Sequence, residues 1–89
     1  MIESNVTIIN KLGLHARSSS TLVSLSSSFS CTVDIIYSGK SVDGKSIMAL
    51  LMLAAKKGEV LTIRCDGEDE GEALQKITDL INDRFGENE

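Results

Sequence analysis

The chain has 89 residues, and we predict that residues 1–89 form one domain. A formal net charge of −4 and an aromatic content of 3% argue against a nucleic-acid-binding protein, which needs a basic face and stacks bases on aromatic rings. The longest apolar run, residues 47–55, is too short to span a membrane, and the N-terminus lacks the pattern of a signal peptide. We therefore expect a cytoplasmic protein without membrane insertion.

The two cysteines, Cys31 and Cys65, lie in separate segments with the alternating pattern of strands. Neither has the spacing to a second cysteine or to His15, the one histidine, that a zinc site requires. We interpret both as small buried apolar residues, because a cytoplasmic compartment keeps thiols reduced. We expect no metal site and no cofactor.

The first two predicted elements are a strand and a helix. Residues 2–9 are rich in β-branched side chains and predict a strand. Residues 18–30 are rich in serine, a composition also found in flexible linkers. Leucine and phenylalanine nevertheless recur there at helical spacing, with no glycine or proline between them. We therefore predict a helix over residues 16–28.

A hairpin and a short apolar segment follow. Residues 31–37 alternate with a period of two, the Ser38-Gly39 pair predicts a tight turn, and residues 40–42 complete the hairpin. The apolar segment is SIMALLML, residues 46–53. Its periodicity does not separate a helix from a buried strand, but methionine, alanine and leucine favour a helix, and Ser46 is a good N-cap.

The last two predicted elements are a strand over residues 60–65 and a helix over residues 69–85. This helix is acidic at its N-terminal end and has an apolar stripe along one face. We expect GENE, residues 86–89, to be a frayed tail. The order β-α-β-β-α-β-α predicts an α/β (α+β) open-faced sandwich, in which a four-stranded, mostly antiparallel sheet carries three helices on one face.

His15 lies just before the first predicted helix, and Arg17 follows two residues later. The first N–H groups of a helix have no intrahelical partner and lie at the positive end of its dipole, so this end attracts anions. An imidazole there can carry a phosphoryl group whose oxygens meet the N–H groups of Ala16 and Arg17, and a guanidinium suits phosphate. On spacing alone, however, a polar cap residue beside an exposed charge is the simpler interpretation.

Two motifs favour the interpretation of His15 as a phosphoryl carrier over that of a polar cap residue. They are NKLGLHAR, residues 10–17, and GKSIMALLMLAAKKG, residues 44–58. Together they resemble the histidine-containing phosphocarrier (HPr) family of the bacterial phosphotransferase system. The resemblance extends to the chain length, the element order and DGEDEGEAL, residues 66–74.

The resemblance implies that His15 accepts a phosphoryl group from phosphoenolpyruvate-charged enzyme I and passes it to an enzyme IIA-type acceptor domain. Arg17 matches the phosphate-stabilising arginine of the family. The family uses Nδ1 of the histidine, although this sequence does not show which nitrogen reacts. A protein with this role is a carrier and not an enzyme, because each partner supplies its own catalytic surface.

Ser18 departs from the family pattern, in which many members have proline and others alanine after the arginine. A serine here leaves three outcomes open: a looser helix start, a hydroxyl that caps the helix, or a hydroxyl that contacts the phosphate.

At Ser46, the resemblance implies regulatory phosphorylation by an HPr kinase/phosphorylase, in addition to the N-cap role. Phosphorylation there would slow transfer from enzyme I, because the added charge disturbs contact with an acidic partner surface.

The short apolar segment can bury only one face, so we assign Leu50 and Leu53 to the core. Guided by the resemblance, we assign Ile47, Met48 and Leu51 to a patch that docks partners, because methionine adapts to different surfaces.

Other functions remain open. The protein could serve a nitrogen-related branch instead of sugar uptake, or act only as a regulatory binding module through phospho-Ser46. A small-ligand sensor has no glycine-rich loop or metal cluster in its favour. The sequence does not name the sugar or the acceptor. We expect a monomer, because a diffusing carrier meets several partners.

Overall fold

A computed structural model describes residues 1–89 and contains one four-stranded sheet. Its strands are β1 (Ile2–Thr7), β2 (Thr32–Tyr37), β3 (Lys40–Asp43) and β4 (Val60–Asp66). They lie in the order β1-β4-β2-β3, and all three neighbouring pairs are antiparallel. β1 and β3 are therefore the edge strands.

Three α-helices cover one face of this sheet: α1 (Ala16–Ser26), α2 (Ile47–Leu53) and α3 (Glu70–Asn82). The structure confirms the open-faced sandwich, the order β-α-β-β-α-β-α and the helical state of the short apolar segment. No helix has the length and apolar character needed to cross a membrane.

The core lies between the helices and the inner face of the sheet. Alternate strand residues point into it, since successive side chains of a strand face opposite sides. Its members include Ile35, Leu61 and Ile63 from the strands and Leu22 and Ile77 from the helices, all fully buried. Their alternation along β2 and β4 leaves the opposite face of the sheet to partly exposed and polar residues.

The two cysteines belong to this core, as the sequence predicts. Cys31 and Cys65 are buried and free. Burial raises the pKa of the Cys65 thiol to about 11, so this side chain remains a neutral thiol at physiological pH. Both residues therefore pack as small apolar groups.

Buried serines allow α1 to lie close to its neighbours. Ser18, Ser19 and Ser26 are fully buried, whereas Ser20 and Ser24 are exposed. Serine thus lines both the packed and the solvent-facing sides of the helix, and the linker alternative is wrong.

Two predictions at the C-terminal end of the chain are wrong. The helix predicted over residues 69–85 ends at Asn82, and a short 3-10 helix, Arg84–Gly86, follows it. Arg84 and Phe85 have positive φ angles of 56° and 55°, which cost roughly 1–2 kcal/mol each outside glycine. Burial of the Phe85 ring offsets this cost by about 2–3 kcal/mol.

This reversal also corrects the expectation of a frayed tail. Residues 87–89, the C-terminal segment, return to the loop that follows β1. The N–H of Lys11 donates to the carbonyl oxygen of Glu89 at 2.9 Å, and Lys11 Nζ lies 3.1 Å from Glu89 Oε2. The other element boundaries agree with the predicted ones to within about two residues.

Candidate functional site

The loop before α1 is fixed against the end of α2. Gly13 has a φ of +66°, and a Cβ atom at this position would lie 2.5 Å from the carbonyl oxygen of Ala55. The N–H of Leu14 donates to that same oxygen at 3.0 Å. Only glycine combines this conformation with so close an approach, so the loop presents the next residue, His15, from a fixed position.

His15 is the N-cap of α1 and has extended backbone angles. Its carbonyl oxygen accepts the first bond of the helix, from the N–H of Ser19 at 2.9 Å. The N–H groups of Ala16 and Arg17 lie in the first turn and have no intrahelical acceptor. The structure thus brings together the imidazole and the two N–H groups that the sequence predicts.

Ser18 supplies the cap of this helix start. Its fully buried hydroxyl accepts from the N–H of His15 at 2.9 Å and donates to the carbonyl oxygen of Gly13 at 2.8 Å. Of the three outcomes that the sequence leaves open, the structure favours the cap. The phosphate contact is not supported, because the hydroxyl faces inward and both accepts and donates a hydrogen bond.

An acidic residue from the C-terminal segment contacts the His15 ring. His15 Nε2 lies 2.6 Å from Oε2 of Glu87, whose other oxygen accepts from Nδ2 of Asn10 at 3.0 Å. Because a carboxylate can only accept, Nε2 carries the proton in this contact. In the neutral ring, Nδ1 is then the unprotonated nitrogen, which carries the lone pair.

Sequence reasoning missed both Asn10 and Glu87. Asn10 is fully buried, and its amide also donates to the carbonyl oxygen of Gly13 at 2.9 Å. The motif NKLGLHAR contains Asn10, so a search for polar residues near the histidine in the sequence could have found it. No feature of the sequence around Glu87 indicates that this residue contacts His15.

Arg17 is exposed, and its guanidinium makes no hydrogen bond or salt bridge. It lines an open cleft together with the His15 ring and the C-terminal segment. The remaining cation of the cleft, Lys11, pairs with Glu89 at 3.1 Å. Arg17 is therefore the free cation of the cleft, which is lined by Lys11, Leu12, His15, Ala16, Arg17, Glu87, Asn88 and Glu89.

Ser46 is the N-cap of α2, as predicted. Its hydroxyl accepts from the N–H of Ala49 at 3.2 Å, and the residue is partly exposed. No hydrogen bond joins Ser46 to His15. The structure therefore places Ser46 at a second, separate helix start.

The exposed face of α2 agrees in part with the predicted docking patch. Ile47 and Met48 are exposed and Leu51 is partly exposed, whereas Leu50 and Leu53 are buried in the core. The sequence prediction omitted two further exposed apolar side chains, Met52 on the same helix and Leu12 at the cleft.

Comparison with known proteins places the chain in a family. The model of the PTS HPr component phosphorylation site family matches residues 2–83, a range that includes His15, Arg17 and Ser46. The chain belongs to the HPr family. It is 49% identical to the phosphocarrier protein HPr of Neisseria meningitidis serogroup A over 89 residues, which cover 100% of both chains.

Solved HPr structures share the fold. HPr-C-His from Thermoanaerobacter tengcongensis superposes with a TM-score of 0.96 at 38% identity, over 100% of both chains. An HPr dimer from the same organism superposes with a TM-score of 0.78 at 39% identity, over 98% of this chain and 100% of that one. This chain is therefore an HPr-family phosphocarrier of the phosphotransferase system.

Proposed function

We propose that His15 relays a phosphoryl group from phosphoenolpyruvate-charged enzyme I to enzyme IIA-type acceptor domains in the cytoplasm. The observation that carries this proposal is the helix start itself. The only histidine of the chain caps α1, and its Nε2 is bound to a carboxylate, which leaves Nδ1 as the unprotonated nitrogen of the neutral ring. The unpaired guanidinium of Arg17 lines the same cleft.

The chemistry needs positioning and charge more than covalent machinery. Nδ1 attacks the phosphorus, and the phosphoryl oxygens then meet the N–H groups of Ala16 and Arg17 and the guanidinium of Arg17. The cleft is open, so a partner can bring its own phosphohistidine or histidine to the phosphorus. Since each partner supplies the remaining catalytic groups, the protein acts as a carrier and not as an enzyme.

The test is labelling with enzyme I, magnesium and phosphoenolpyruvate labelled in its phosphate. We expect an acid-labile label on the wild-type protein and none on His15→Ala. Arg17→Lys is a useful second variant, because it keeps the charge but loses the planar donor set. An unlabelled wild-type protein, with enzyme I shown to phosphorylate another carrier, would contradict the proposal.

A second candidate function is regulation through Ser46, supported by the partial exposure of this residue and by its place at a helix start. A phosphoserine would add a charge of roughly −1.5 to −2 to a chain whose net charge is −4. Incubation with an HPr kinase/phosphorylase and ATP should label the wild-type protein but not Ser46→Ala. If only Ser46 is labelled and His15 never is, the purely regulatory binding module is the better interpretation.

Partner docking would use the exposed apolar face of α2, namely Ile47, Met48 and Leu51, joined by Met52. None of these four side chains belongs to the hydrophobic core. The interfaces that transient complexes form are small, so a patch of this size is sufficient. A Met48→Ser variant should raise the KM for enzyme I, with an unchanged free energy of unfolding.

The sugar branch and the nitrogen-related branch differ in the acceptor domain. Transfer from the labelled protein to each type of acceptor domain therefore distinguishes them. We propose that the carrier acts as a monomer, which sedimentation can test.

A further inference from the structure

The contact between the C-terminal segment and the His15 ring is short and mostly shielded. Glu87 Oε2 lies 2.6 Å from His15 Nε2, and the exposed fractions of the two side chains are 14% for Glu87 and 29% for His15. The two residues are 72 positions apart, so only the fold brings them together.

Several independent contacts hold this carboxylate in place. Its second oxygen accepts from Nδ2 of the buried Asn10 at 3.0 Å. The end of the segment is tied to Lys11 by a backbone hydrogen bond of 2.9 Å and an ion pair of 3.1 Å. The buried ring of Phe85 fixes its beginning. The carboxylate is therefore positioned by the structure rather than by the ion pair alone.

We propose that Glu87 is a positioning residue for phosphoryl transfer: it keeps the proton on His15 Nε2 and orients the ring so that Nδ1 is the attacking nitrogen. This inference rests on the proposed carrier function. It assigns a role to a residue outside the motif that contains His15 and Arg17. The logic is that of a carboxylate that holds a histidine in one tautomer and stabilises the charge that the ring gains.

The transfer step shows where that charge appears. The Nδ1 lone pair forms a bond to phosphorus, the bond between phosphorus and the donor's histidine nitrogen breaks, and that nitrogen keeps the electron pair. The proton stays on Nε2, so the His15 ring becomes cationic as the phosphoryl group arrives. A carboxylate already at Nε2 stabilises this cation without reorganisation, whereas water would have to reorient.

The first measurement is the tautomer of His15, read from the ring ¹⁵N chemical shifts at about pH 9, where histidine is ordinarily neutral. We expect almost complete Nε2 protonation in the wild type and a shift toward the free-histidine ratio in Glu87→Ala. Glu72→Gln is the matched control, because Glu72 is an exposed carboxylate of α3 that pairs with Lys76 and does not line the cleft. The same tautomer ratio in all three proteins would overturn the proposal.

The second measurement is the rate of phosphoryl transfer from enzyme I. We expect Glu87→Ala to lower kcat about tenfold with little change in KM, and Glu72→Gln to leave both unchanged. Glu87→Gln should lie between, since an amide can accept from Nε2–H but can equally donate to an unprotonated Nε2. A change in KM alone, or an unchanged kcat despite an altered tautomer, would overturn the positioning role.

These two measurements separate the inference from the function on which it rests. If wild-type protein accepts no phosphoryl group from active enzyme I, the carrier proposal fails and the positioning role fails with it. If the wild type is phosphorylated but Glu87→Ala reacts equally fast, only the role of Glu87 is rejected.

Discussion

The first two helices begin in opposite ways. α2 begins at Ser46, whose own hydroxyl accepts from the N–H of Ala49. α1 begins at His15, and the capping hydroxyl comes instead from Ser18, three residues further along the chain. Because the Ser18 hydroxyl takes part in this cap, the imidazole of His15 can also face the cleft and contact Glu87. The start of α2 has its N-cap side chain engaged in holding the helix.

The third helix offers another arrangement. α3 begins at Asp69, whose side chain makes no bond to its own helix. Its carboxylate accepts instead from the N–H groups of Ser30 and Cys31, at 2.8 and 2.9 Å, and so fixes the start of β2. An N-cap side chain can thus contact its own helix, a neighbouring strand or another segment of the chain, depending on which other group supplies the cap. The following changes test this comparison, from the largest expected effect to the smallest.

The loop before His15 should be the position most sensitive to change. Gly13→Ala forces a Cβ against the backbone at Ala55 and adds strain at a φ of +66°, so we expect a loss of about 3 kcal/mol in the free energy of unfolding. Gly58→Ala is the control, because its φ is +92° but nothing lies within 4 Å of the added atom. We expect about 1 kcal/mol there. Equal losses in urea unfolding would show that the close approach is unimportant.

Arg17 should affect transfer but not stability. Its guanidinium has no protein partner, so Arg17→Ala should leave urea unfolding unchanged and lower the rate of phosphoryl transfer by about thirtyfold, or about 2 kcal/mol. Lys11→Ala removes a cation from the same cleft, but one that is paired with Glu89. A similar loss in both variants would mean that the general charge of the cleft matters, and not the specific donors of Arg17.

The two capping serines should differ in their contribution to stability. Ser18→Ala removes two bonds at a fully buried site and should cost about 2 kcal/mol. Ser46→Ala removes one bond at a partly exposed site and should cost about 1 kcal/mol. Chemical denaturation of the two variants compares them directly, and the reverse order would refute this account of the cap.

Asp69 should give the smallest effect, and one that depends on pH. Hydrogen bonds from the backbone of Ser30 and Cys31 hold the pKa of Asp69 below its ordinary value, despite partial desolvation. A carboxyl group with a lowered folded-state pKa stabilises the protein above its unfolded-state pKa, near 4, and loses that contribution as the pH falls through the folded-state pKa. Asp69→Asn should therefore be less stable than wild type at pH 7, and thermal unfolding should show this difference vanish in acid. A constant difference across that range would contradict the linkage.

The sheet and the helices were predictable because their signals are local. The alternation of buried residues along β2 and β4 follows from the period of a strand, and the composition of SIMALLML correctly favoured a helix. His15 and Arg17 were proposed as site residues from the resemblance of the surrounding motifs to a known family, and this assignment stays a prediction. The strand and helix predictions used residues within one element or one turn of it, whereas the site prediction used motifs from three parts of the chain.

The contacts that complete the site are not local. The position of Glu87 depends on two left-handed residues, Arg84 and Phe85, for which no glycine or asparagine gives a signal. The hydroxyl of Ser18 faces inward because it donates to the carbonyl oxygen of Gly13. The position of Gly13 depends in turn on its close contact with the backbone of Ala55, just after α2. Packing decides such features, so a pattern read along the chain does not contain them.

The return of the C-terminal segment has a practical consequence for anyone who labels this protein. Glu89 is hydrogen-bonded to Lys11 in the cleft, so a purification tag or fluorophore joined after it would start close to the imidazole of His15. Met1 offers a different attachment point: its amine pairs with Glu70 at the start of α3, and β1 separates it from the loop that carries His15. A fluorophore attached at the N-terminal side would therefore lie away from the cleft. A fluorophore attached at the C-terminal side would lie beside the cleft, where its emission can respond to a bound molecule.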